Sequence, residues 1–366
     1  MELIQDVDVV VVGAGVLGLA VTDALLRSGV SVVCLESGVP GGRQSAGETR
    51  IFRHAYRRRD VTEFAQEATM AWDAWSQRHG TALITPTGSL LITDDTVAET
   101  AGLASAGVPF DTLAPEQQSQ HVPWRSVDPD ATALFEPTAG TILARETVQA
   151  LTGWVGDALR QAMVLDVRPV AHGGVVVRTT DQVFRAGSAV VCAGAELPRF
   201  ATELDLDVSF TSHPHTRGVF RVRDEGLDAM AYPSFRDKTA RPAGAVYSYS
   251  LPLSAHEVAV GIEPADNSAT FDPISTMQDT VDWVRTALPG LDPDPVRLQS
   301  CDSTALRGGD GNPWESEGMG IWRRDDVLLF AGGHYFKFAP LLGQVLAQVA
   351  LGAPIPSLLD PETVTA

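Results

Sequence analysis

The sequence predicts a mixed α/β protein in which a domain built on a parallel sheet is split by an inserted antiparallel β-rich domain. Residues 7–36 are predicted as strand, helix and strand, because VDVVVV and VSVVCLE are buried β-branched runs around a segment with helical spacing. Apolar strands of the same kind return at 186–197 and 326–333. Alternating strands dominate between 215 and 263. The first domain is therefore expected to be discontinuous in sequence.

A glycine-rich turn lies between the first strand and the first helix. GAGVLG contributes Gly13, Gly15 and Gly18, and Glu36 closes the second strand. In this order the glycines allow a tight turn, close approach of the backbone to a pyrophosphate and close helix–strand packing. Glu36 would accept a hydrogen bond from an adenosine ribose hydroxyl, which favours FAD or NAD over NADP. The pattern predicts a Rossmann-like dinucleotide-binding domain; a structural turn without a ligand is the alternative.

The expected domain boundaries follow the change between apolar and alternating strands. A chain of 366 residues exceeds the size at which a single core usually stops growing, so two domains are expected. The dinucleotide-binding domain is predicted to comprise 1–85, 145–212 and 300–366, and the β-rich substrate domain 86–144 and 213–299.

The charge of the chain argues against two classes of partner. The net charge is −19, whereas nucleic acids and anionic membranes both require a basic face. Asp6 and Asp8 precede the first apolar run, where an export signal needs basic residues. We therefore predict a cytoplasmic protein, monomeric or a small homo-oligomer, without nucleic-acid or membrane partners. No metal site is predicted, because His213 and His215 lack further ligands at suitable spacing.

Lysine is rare in this chain, and one lysine has an unusual setting. The lysines are Lys238 and Lys337, and Lys337 lies between two phenylalanines in GHYFKFAP, just before an apolar helix predicted at 340–352. Cations are unfavourable at helix N-termini, so the position favours a functional lysine over one that extends to solvent. Arg50 and Arg53, in GETRIFRHAY, are predicted at a helix start, where three-residue spacing places both on one side.

Several landmark segments occur in order along most of the chain. They are GAGVLG with Glu36, GETRIFRHAY (47–56), TPTGSLLI (85–92), LFEPTAGTI (134–142), VVCAGA (190–195), Cys301 followed by Thr304, and GHYFKF (333–338). Together they resemble the FAD-dependent D-amino-acid oxidase superfamily, specifically its monomeric sarcosine oxidase branch. The glycine fingerprint is widely shared, whereas TRIFRHAY and GHYFKF are rather specific. The resemblance implies FAD bound by the split domain.

The resemblance also implies roles for individual residues. Family residues that match Arg53 and Lys337 bind the substrate carboxylate, and the one that matches Arg50 lies against the flavin. A planar fork and a point charge together offset the desolvation of a carboxylate better than either alone. Tyr249 matches a tyrosine of the substrate pocket, although an outward aromatic on an alternating strand is its alternative. The predicted catalytic residues are Arg53, Lys337 and Tyr249. The predicted cofactor-binding residues are Gly13, Gly15, Gly18, Glu36, Gly47, Thr49, Arg50, Val167, Gly194, Cys301, Gly333, His334 and Lys337.

The three cysteines are expected to differ in function. Cys34 and Cys192 lie in apolar strands and are predicted in the core, whereas Cys301 lies in the polar segment RLQSCDST. Cys301 matches the cysteine that this branch joins covalently to the flavin 8α carbon, so the resemblance implies covalent FAD. The glycine-rich stretch 304–322 departs from the family pattern, which leaves non-covalent binding as the alternative.

Two departures from the family concern the reaction itself. Family oxidases carry a lysine over the flavin on a strand that here reads VAVG, with Ala259 in place of the lysine. A positive charge there stabilises developing superoxide, so slow reaction with O2 is predicted and the electron acceptor is O2 or another oxidant. Tyr335 stands where the family commonly has glycine, so the substrate pocket is expected to differ.

The predicted function is FAD-dependent oxidation of a carbon–nitrogen bond in a small amino or imino acid to an imine. Hydride equivalents would pass to flavin N5, and the helix N-terminus near Pro340 would stabilise the anion that develops on reduction. Three alternatives remain: an FAD-dependent 2-hydroxy-acid oxidoreductase, a tRNA-modifying flavoprotein, which the charge of −19 disfavours, and a non-catalytic FAD-binding protein.

Overall fold

The structure is a computed structural model, and it describes residues 3–128, 130–239, 245–264, 273–306 and 318–361. The strands within these residues are β1 Leu3–Val12, β2 Val32–Glu36, β3 Thr49–Phe52, β4 Ser89–Thr93, β5 Asp111–Leu113, β6 Thr132–Glu136, β7 Gly140–Leu143, β8 Leu159–Gln161, β9 Val164–Pro169, β10 Val175–Thr179, β11 Gln182–Val191, β12 Phe210–Arg221, β13 Ser234–Asp237, β14 Ala245–Ser254, β15 Glu257–Pro264, β16 Arg297–Leu306, β17 Met319–Arg324 and β18 Val327–Gly332. The helices are α1 Val16–Arg27, α2 Arg59–His79, α3 Thr96–Ala106, α4 Pro115–His121, α5 Ala144–Val155, α6 Leu197–Glu203, α7 Pro273–Ala287 and α8 Ala339–Ala350.

The chain folds into two compact units that alternate along the sequence. Unit one comprises Met1–Ala46, Arg145–His213 and Asp302–Ala366, and unit two comprises Gly47–Ala144 and Pro214–Cys301. The predicted mixed α/β fold, with one sheet interrupted in sequence by a β-rich segment, is confirmed.

Unit one is built on a mostly parallel sheet with the order β17-β18-β11-β1-β2-β8. β1 lies at its centre and pairs in parallel with both β11 and β2, while β18 pairs in parallel with β11. Val9, Val10, Val11 and Val12 of β1 are almost fully buried, as expected for a strand covered on both faces. Helices α1 and α8 pack closely enough that a Cβ on Gly343 would lie 2.7 Å from the Cβ of Ala20. Because β1, β2, β11 and β18 are parallel, they end on the same side of the sheet, its carboxyl edge, where the turns that follow them lie.

Unit two contains a second sheet, with the order β16-β12-β15-β14-β13-β4-β6-β5. The described pairings are antiparallel except for β13 with β4, which is parallel. One face of this sheet carries an apolar core that includes Phe220, Phe235, Val258 and Val260. The helix α7 covers this core with Trp283 and other apolar side chains. A separate two-stranded ribbon joins β3 to β7.

The first domain boundary differs from its predicted position. The prediction assigned residues 1–85 to the dinucleotide-binding domain, whereas the structure groups 47–85 with unit two. The reason is tertiary pairing: β3 pairs with β7, about 90 residues later, and α2 packs against α3. The boundary between residues 144 and 145 coincides with its predicted position, and the two later boundaries differ by one and two residues.

The predicted helix start at Arg50 and Arg53 is wrong. Residues Thr49–Phe52 form strand β3, and α2 begins only at Arg59. The segment TRIF contains a β-branched pair and an aromatic residue, which suit a strand, and it finds a partner in GTIL of β7. Among the described helices, none is long and apolar enough to cross a membrane.

Candidate functional site

The glycine turn after β1 is shaped by contacts that exclude side chains. Gly13 has a φ of +96°, and a Cβ there would lie 2.5 Å from the carbonyl oxygen of Cys192. A Cβ on Gly18 would lie 1.8 Å from the carbonyl oxygen of Gly13, so α1 crosses β1 at backbone contact. At Gly15, the N-cap of α1, the nearest described neighbour of an added Cβ is Ser45 Oγ at 3.3 Å. The tight turn and the close packing therefore require glycine at positions 13 and 18.

Glu36 holds this turn from the carboxyl end of β2. The amide of Ala14 donates to Glu36 Oε2 at 2.8 Å, and the amide of Gly38 donates to Glu36 Oε1 at 2.8 Å. The side chain is half-buried, and each carboxylate oxygen can accept more than one hydrogen bond. Glu36 thus fixes the turn and retains the capacity to accept from a ribose hydroxyl.

The first turn of α1 offers amide donors to an anion. The buried hydroxyl of Ser45 accepts from the amide of Val16 at 2.9 Å. The amides of Gly15 and Leu17 have no protein acceptor among the described residues. Such donors, together with the positive end of the helix dipole, make a helix N-terminus a phosphate site. The residues present at this turn fit the pyrophosphate of a dinucleotide.

Two further turns of unit one lie at the same carboxyl edge. Strand β11 ends at Val191 and is followed by Gly194, whose φ is +55°. Strand β18 ends at Gly332 and is followed by the buried Gly333 and the exposed His334, whose φ is +44°. In open α/β sheets, ligands bind outside the carboxyl ends of the strands. The structure therefore brings Gly194, Gly333 and His334 to the edge that carries the glycine turn.

Lys337 is buried at this edge. It lies in the 3-10 turn Tyr335–Phe338 between β18 and α8, and only 9% of its surface is exposed. Its Nζ lies 5.7 Å from the centroid of the Phe338 ring, and the Tyr335 ring packs edge-on against Phe330 at 5.4 Å. A buried ammonium beside a helix N-terminus gives this turn a positive potential that favours an anionic ligand.

Val167 lies within strand β9 rather than in one of the turns at this edge. It pairs with Val177 in the β9–β10 hairpin, and Val177 pairs with Phe184 near the beginning of β11. The side chain of Val167 packs in the apolar core of unit one. Its predicted contact with the cofactor stays a prediction.

In unit two, Gly47, Thr49 and Arg50 form one polar corner. Gly47 has a φ of +106°, and a Cβ there would lie 2.7 Å from Arg217 Nη2 and 3.1 Å from Arg50 Nη1. Arg50 Nη1 donates to the carbonyl of Thr49 at 2.8 Å, and the buried Thr49 hydroxyl donates to the carbonyl of Pro252 at 2.9 Å. Two guanidinium groups therefore lie against the same glycine, which creates a cationic corner beside β3.

Arg53 is buried directly after β3. Only 9% of its surface is exposed, and its guanidinium carbon lies 4.0 Å from the centroid of the Tyr56 ring. Its Nη1 donates to the carbonyl of Ala55. Arginine is the side chain best suited to bind a carboxylate through two parallel hydrogen bonds. Its fixed, desolvated fork could serve this purpose.

Tyr249 and Ala259 share one face of the unit-two sheet. Val258 and Val260 point into the core, so Ala259 and Gly261 point to the opposite face. Tyr249 pairs with Gly261, and a Cβ on Gly261 would lie 2.4 Å from the Tyr249 hydroxyl oxygen. The tyrosine ring therefore lies across the glycine. Ala259, where the resemblance predicts a departure from lysine, is fully buried.

Two of the three cysteines are unsuited to reaction. Burial raises the pKa of the Cys34 thiol to about 12, and burial likewise raises the pKa of Cys192. Both thiols are therefore protonated at neutral pH. Cys34 is buried, as predicted for a core cysteine, whereas Cys192 is only half-buried. Cys301 lies in β16, but its side chain is outside the part of the chain that the structure describes.

A family model, DAO, described as FAD dependent oxidoreductase, matches residues 8–349. The chain belongs to the FAD dependent oxidoreductase family. This FAD dependent oxidoreductase is 26% identical to the peroxisomal sarcosine oxidase of Mus musculus, over 95% of this chain and 93% of the relative. It is 25% identical to the monomeric sarcosine oxidase of Arthrobacter sp. (strain TE1826), over 96% of this chain and 94% of the relative.

Solved structures show the same fold. NikD, an unusual amino acid oxidase essential for nikkomycin biosynthesis, aligns with a TM-score of 0.83 at 24% identity, covering 98% of each chain. L-proline dehydrogenase from P. horikoshii aligns with a TM-score of 0.81 at 18% identity, again covering 98% of each chain. The prediction of an FAD-dependent oxidoreductase of the D-amino-acid oxidase superfamily is confirmed.

Among the described residues of this FAD dependent oxidoreductase, no group of three or more His, Cys, Asp or Glu side chains could hold a metal ion. The side chains of His213 and His215 are outside the described part.

Several polar residues that shape the candidate site were not predicted from the sequence. Ser45, which accepts from an amide of α1, is 29 residues from that amide, and the sequence has no local signal for the contact. Arg217 reaches Gly47 and also donates through Nε to Gln299 in β16 at 2.7 Å. Glu136, within LFEPTAGTI, contacts the segment that carries Arg53. Each of these contacts depends on tertiary structure.

Proposed function

We propose that this protein oxidises the carbon–nitrogen bond of an amino or imino acid, a secondary or cyclic amine carrying a carboxylate, to an imine. The family match over residues 8–349 and relatives named sarcosine oxidase and N-methyl-L-tryptophan oxidase support this class of substrate. The observation that carries the proposal is the burial of Lys337 at the carboxyl edge of the parallel sheet. A buried cation at the ligand-binding edge of such a fold selects an anionic substrate group.

Arg53 and Lys337 are proposed to bind the substrate carboxylate. Both side chains are buried, so their charges are weakly screened and hold an anion more strongly than surface cations would. Arginine supplies a planar pair of donors and lysine a compact charge, and together they fix the orientation of the acid. Tyr249 is proposed to line the pocket. Orientation of a neutral amine, rather than acid or base chemistry, is then the main catalytic effect.

The residues proposed to hold FAD are the glycine turn, Glu36 and the turns after β11 and β18. The first turn of α1 would bind the pyrophosphate, and Glu36 would accept from the adenosine ribose. When bound, FAD would supply the two-electron acceptor for oxidation of the carbon–nitrogen bond to an imine, with hydride equivalents passing to flavin N5. The N-terminus of α8 and Lys337 provide positive potential in one turn.

Covalent attachment through Cys301 is proposed as a separate feature. The resemblance places Cys301 at the family attachment position, and the raised pKa values of Cys34 and Cys192 argue against either as the attached thiol. Thioether formation would replace the Sγ–H bond and one C–H bond of the 8α methyl group with an Sγ–C bond, and the two protons and two electrons would pass to O2 or another external oxidant. Flavin fluorescence that stays with the wild-type chain after denaturation, and is lost from Cys301→Ser, is the expected result.

Slow reaction with O2 is proposed from Ala259. The neutral methyl group at this buried position supplies no charge to stabilise developing superoxide. The protein would then act as a dehydrogenase, or as a slow oxidase. Its electron acceptor, assembly state and cytoplasmic location stay predictions.

The carboxylate proposal is tested with matched substrates. We would measure anaerobic flavin reduction by sarcosine and L-proline, each beside its primary amide, in wild type, Arg53→Gln and Lys337→Met. We expect each variant to raise the half-saturating concentration of the acid at least about tenfold and to change that of the amide much less, because the amide has no charge to bind. Equal effects on acid and amide would contradict the proposed carboxylate clamp.

A further inference from the structure

A second buried charge lies beside the segment that carries Arg53. Glu136 is the last residue of β6 and is 2% exposed. Its Oε2 accepts from the amide of His54 at 2.7 Å and from the amide of Ala55 at 3.1 Å, and lies 3.5 Å from His54 Nδ1. One carboxylate oxygen of Glu136 therefore lies within 3.5 Å of three nitrogen atoms, which belong to His54 and Ala55.

The same segment is also held from the helix that follows it. His54 Nε2 lies 2.8 Å from Thr69 Oγ1, which belongs to α2. The Phe52 ring packs edge-on against the His54 ring at 5.1 Å. Residues 53–58 form no helix or strand, so their conformation depends on such side-chain contacts. Glu136 accepts two hydrogen bonds from the backbone of this segment.

The position of Arg53 depends on the residues that Glu136 holds. Its Nη1 donates to the carbonyl of Ala55, and its guanidinium lies over the ring of Tyr56. Glu136 accepts from the amides of His54 and Ala55, so it fixes the peptide groups on both sides of His54, and the Ala55 carbonyl belongs to the next peptide group along the chain. A shift of Ala55 would move the acceptor that orients the guanidinium.

We propose that Glu136 is a positioning residue that sets the orientation of the Arg53 guanidinium through the backbone of Ala55 and thereby strengthens binding of the substrate carboxylate. The proposal rests on the proposed function of Arg53. Glu136 acts through Arg53 and does not contact the substrate.

The burial of the Glu136 carboxylate favours a positioning role for this residue over a role in core packing alone. A carboxylate that is almost fully removed from water is unfavourable unless charge-assisted hydrogen bonds compensate it. An apolar residue at the end of β6 would complete the core without this desolvation, but it would leave the amides of His54 and Ala55 without an acceptor. The carboxylate is therefore required by the backbone conformation of residues 54–55.

The test compares two variants of Glu136 in the holoenzyme. Glu136→Ala removes the acceptor, whereas Glu136→Gln keeps one oxygen that can accept both amides. The readout is the half-saturating concentration for anaerobic flavin reduction by sarcosine and L-proline and by their primary amides. We expect Glu136→Ala to raise the value at least about tenfold for the acids and less than about threefold for the amides, and Glu136→Gln to stay within about threefold of wild type.

A double-mutant cycle and a matched control separate positioning from a structural role. In the Arg53→Ala background, Glu136→Ala should have no further effect on the acids, because both changes remove the same interaction. Asp237→Asn removes another fully buried carboxylate of unit two, which accepts from Arg125 Nε at 3.0 Å, and should leave the ratio of acid to amide unchanged.

The results for these variants separate failure of the positioning role of Glu136 from failure of the proposed carboxylate clamp. Additive effects of Glu136→Ala and Arg53→Ala, or an equal effect of Asp237→Asn, would overturn the positioning role. If Arg53→Ala weakens binding of the acids and Glu136→Ala does not, this inference alone fails. If Arg53→Ala itself leaves the acids unaffected, the proposed clamp fails, and with it the positioning role that rests on it.

Discussion

Gly18 shows how one absent methyl group determines the geometry of the nucleotide-binding turn. A Cβ at this position would overlap the carbonyl oxygen of Gly13, at 1.8 Å, and neither backbone can move without separating α1 from β1. At Gly15 the nearest described neighbour of a Cβ is the Ser45 hydroxyl at 3.3 Å. The two glycines therefore serve different purposes, helix–strand packing at one and access for a ligand at the other.

We expect Gly18→Ala to lower the free energy of unfolding of the FAD-free protein by about 3 kcal/mol or more, because the added methyl group overpacks two backbones. Gly15→Ala should change this free energy by less than about 1 kcal/mol but weaken FAD binding. Urea unfolding and flavin titration measure the two effects. Gly153→Ala is the control: it lies in α5 with no described atom within 4 Å of its Cβ, and should be neutral or stabilising. Equal losses of stability in Gly15→Ala and Gly18→Ala would contradict the distinction.

Ala259 is the residue on which the oxygen prediction depends. We expect Ala259→Lys to accelerate reoxidation of the reduced flavin by air at least about tenfold, because a cation there stabilises developing superoxide. Ala259→Met adds a side chain of similar length without charge and should not do so. Stopped-flow absorbance after mixing with aerated buffer measures both rates. Acceleration by methionine as well as lysine would show that charge is not the cause.

At the scale of elements, the strand pair β14–β15 positions Tyr249 by leaving a gap beneath it. Gly261 lies under the tyrosine ring on one face of the sheet, and Gly218 of β12 lies under the Phe220 ring in the core. We expect Gly261→Ala to turn Tyr249 away and raise the half-saturating substrate concentration about fivefold, with stability within about 1 kcal/mol of wild type. Gly218→Ala should show the reverse pattern, lower stability with unchanged affinity. Unaltered kinetics in Gly261→Ala would contradict the proposal that Tyr249 lines the substrate pocket.

An ion cluster around the buried Glu99 joins the segment before α2, helix α3 and the segment after β13. Glu99 in α3 is 2% exposed and accepts from Lys238 Nζ at 2.6 Å and from Arg57 Nη2 at 2.8 Å. Burial by itself raises the pKa of Glu99, but the bonds and charges of Lys238, Arg57 and Arg236 outweigh it, so the pKa lies below its ordinary value of 4.5. Lys238 is thereby accounted for as a structural residue.

The lowered pKa of Glu99 predicts a pH dependence of stability. A carboxyl with a lowered folded-state pKa stabilises the fold fully above pH 4.5, and this contribution is lost as the pH falls below that value. Glu99→Gln should therefore lower the free energy of unfolding by about 2–3 kcal/mol at pH 7, and the difference should shrink below pH 4.5. Glu63→Gln, whose partner Arg59 is 64% exposed, should change it by less than about 1 kcal/mol. A difference that grows on acidification would contradict the assignment.

At the scale of the whole molecule, the parts predicted correctly are those with local signals. The βαβ unit over residues 7–36 combines buried β-branched runs with glycines at positions that only glycine can occupy, and both signals are local. The prediction failed at β3 and at the boundary near residue 46, because TRIF becomes a strand only through pairing with residues about 90 positions later.

The supporting contacts of the candidate site could not be predicted at all. Glu136 reaches His54 across 82 residues, and Ser45 reaches Val16 across 29. Neither contact leaves a periodicity or a spacing in the sequence. Local patterns thus indicate which residues carry chemistry, and only the tertiary structure shows which residues hold them in position.

The most direct test of the account is the visible spectrum of the purified protein under nitrogen, before and after addition of N-methyl, cyclic and primary amino acids and of matched 2-hydroxy acids. We expect a yellow protein that is bleached by one class of amino or imino acid and not by the hydroxy acids, and whose colour returns slowly in air. Bleaching by 2-hydroxy acids alone, or no bleaching by any compound, would contradict it.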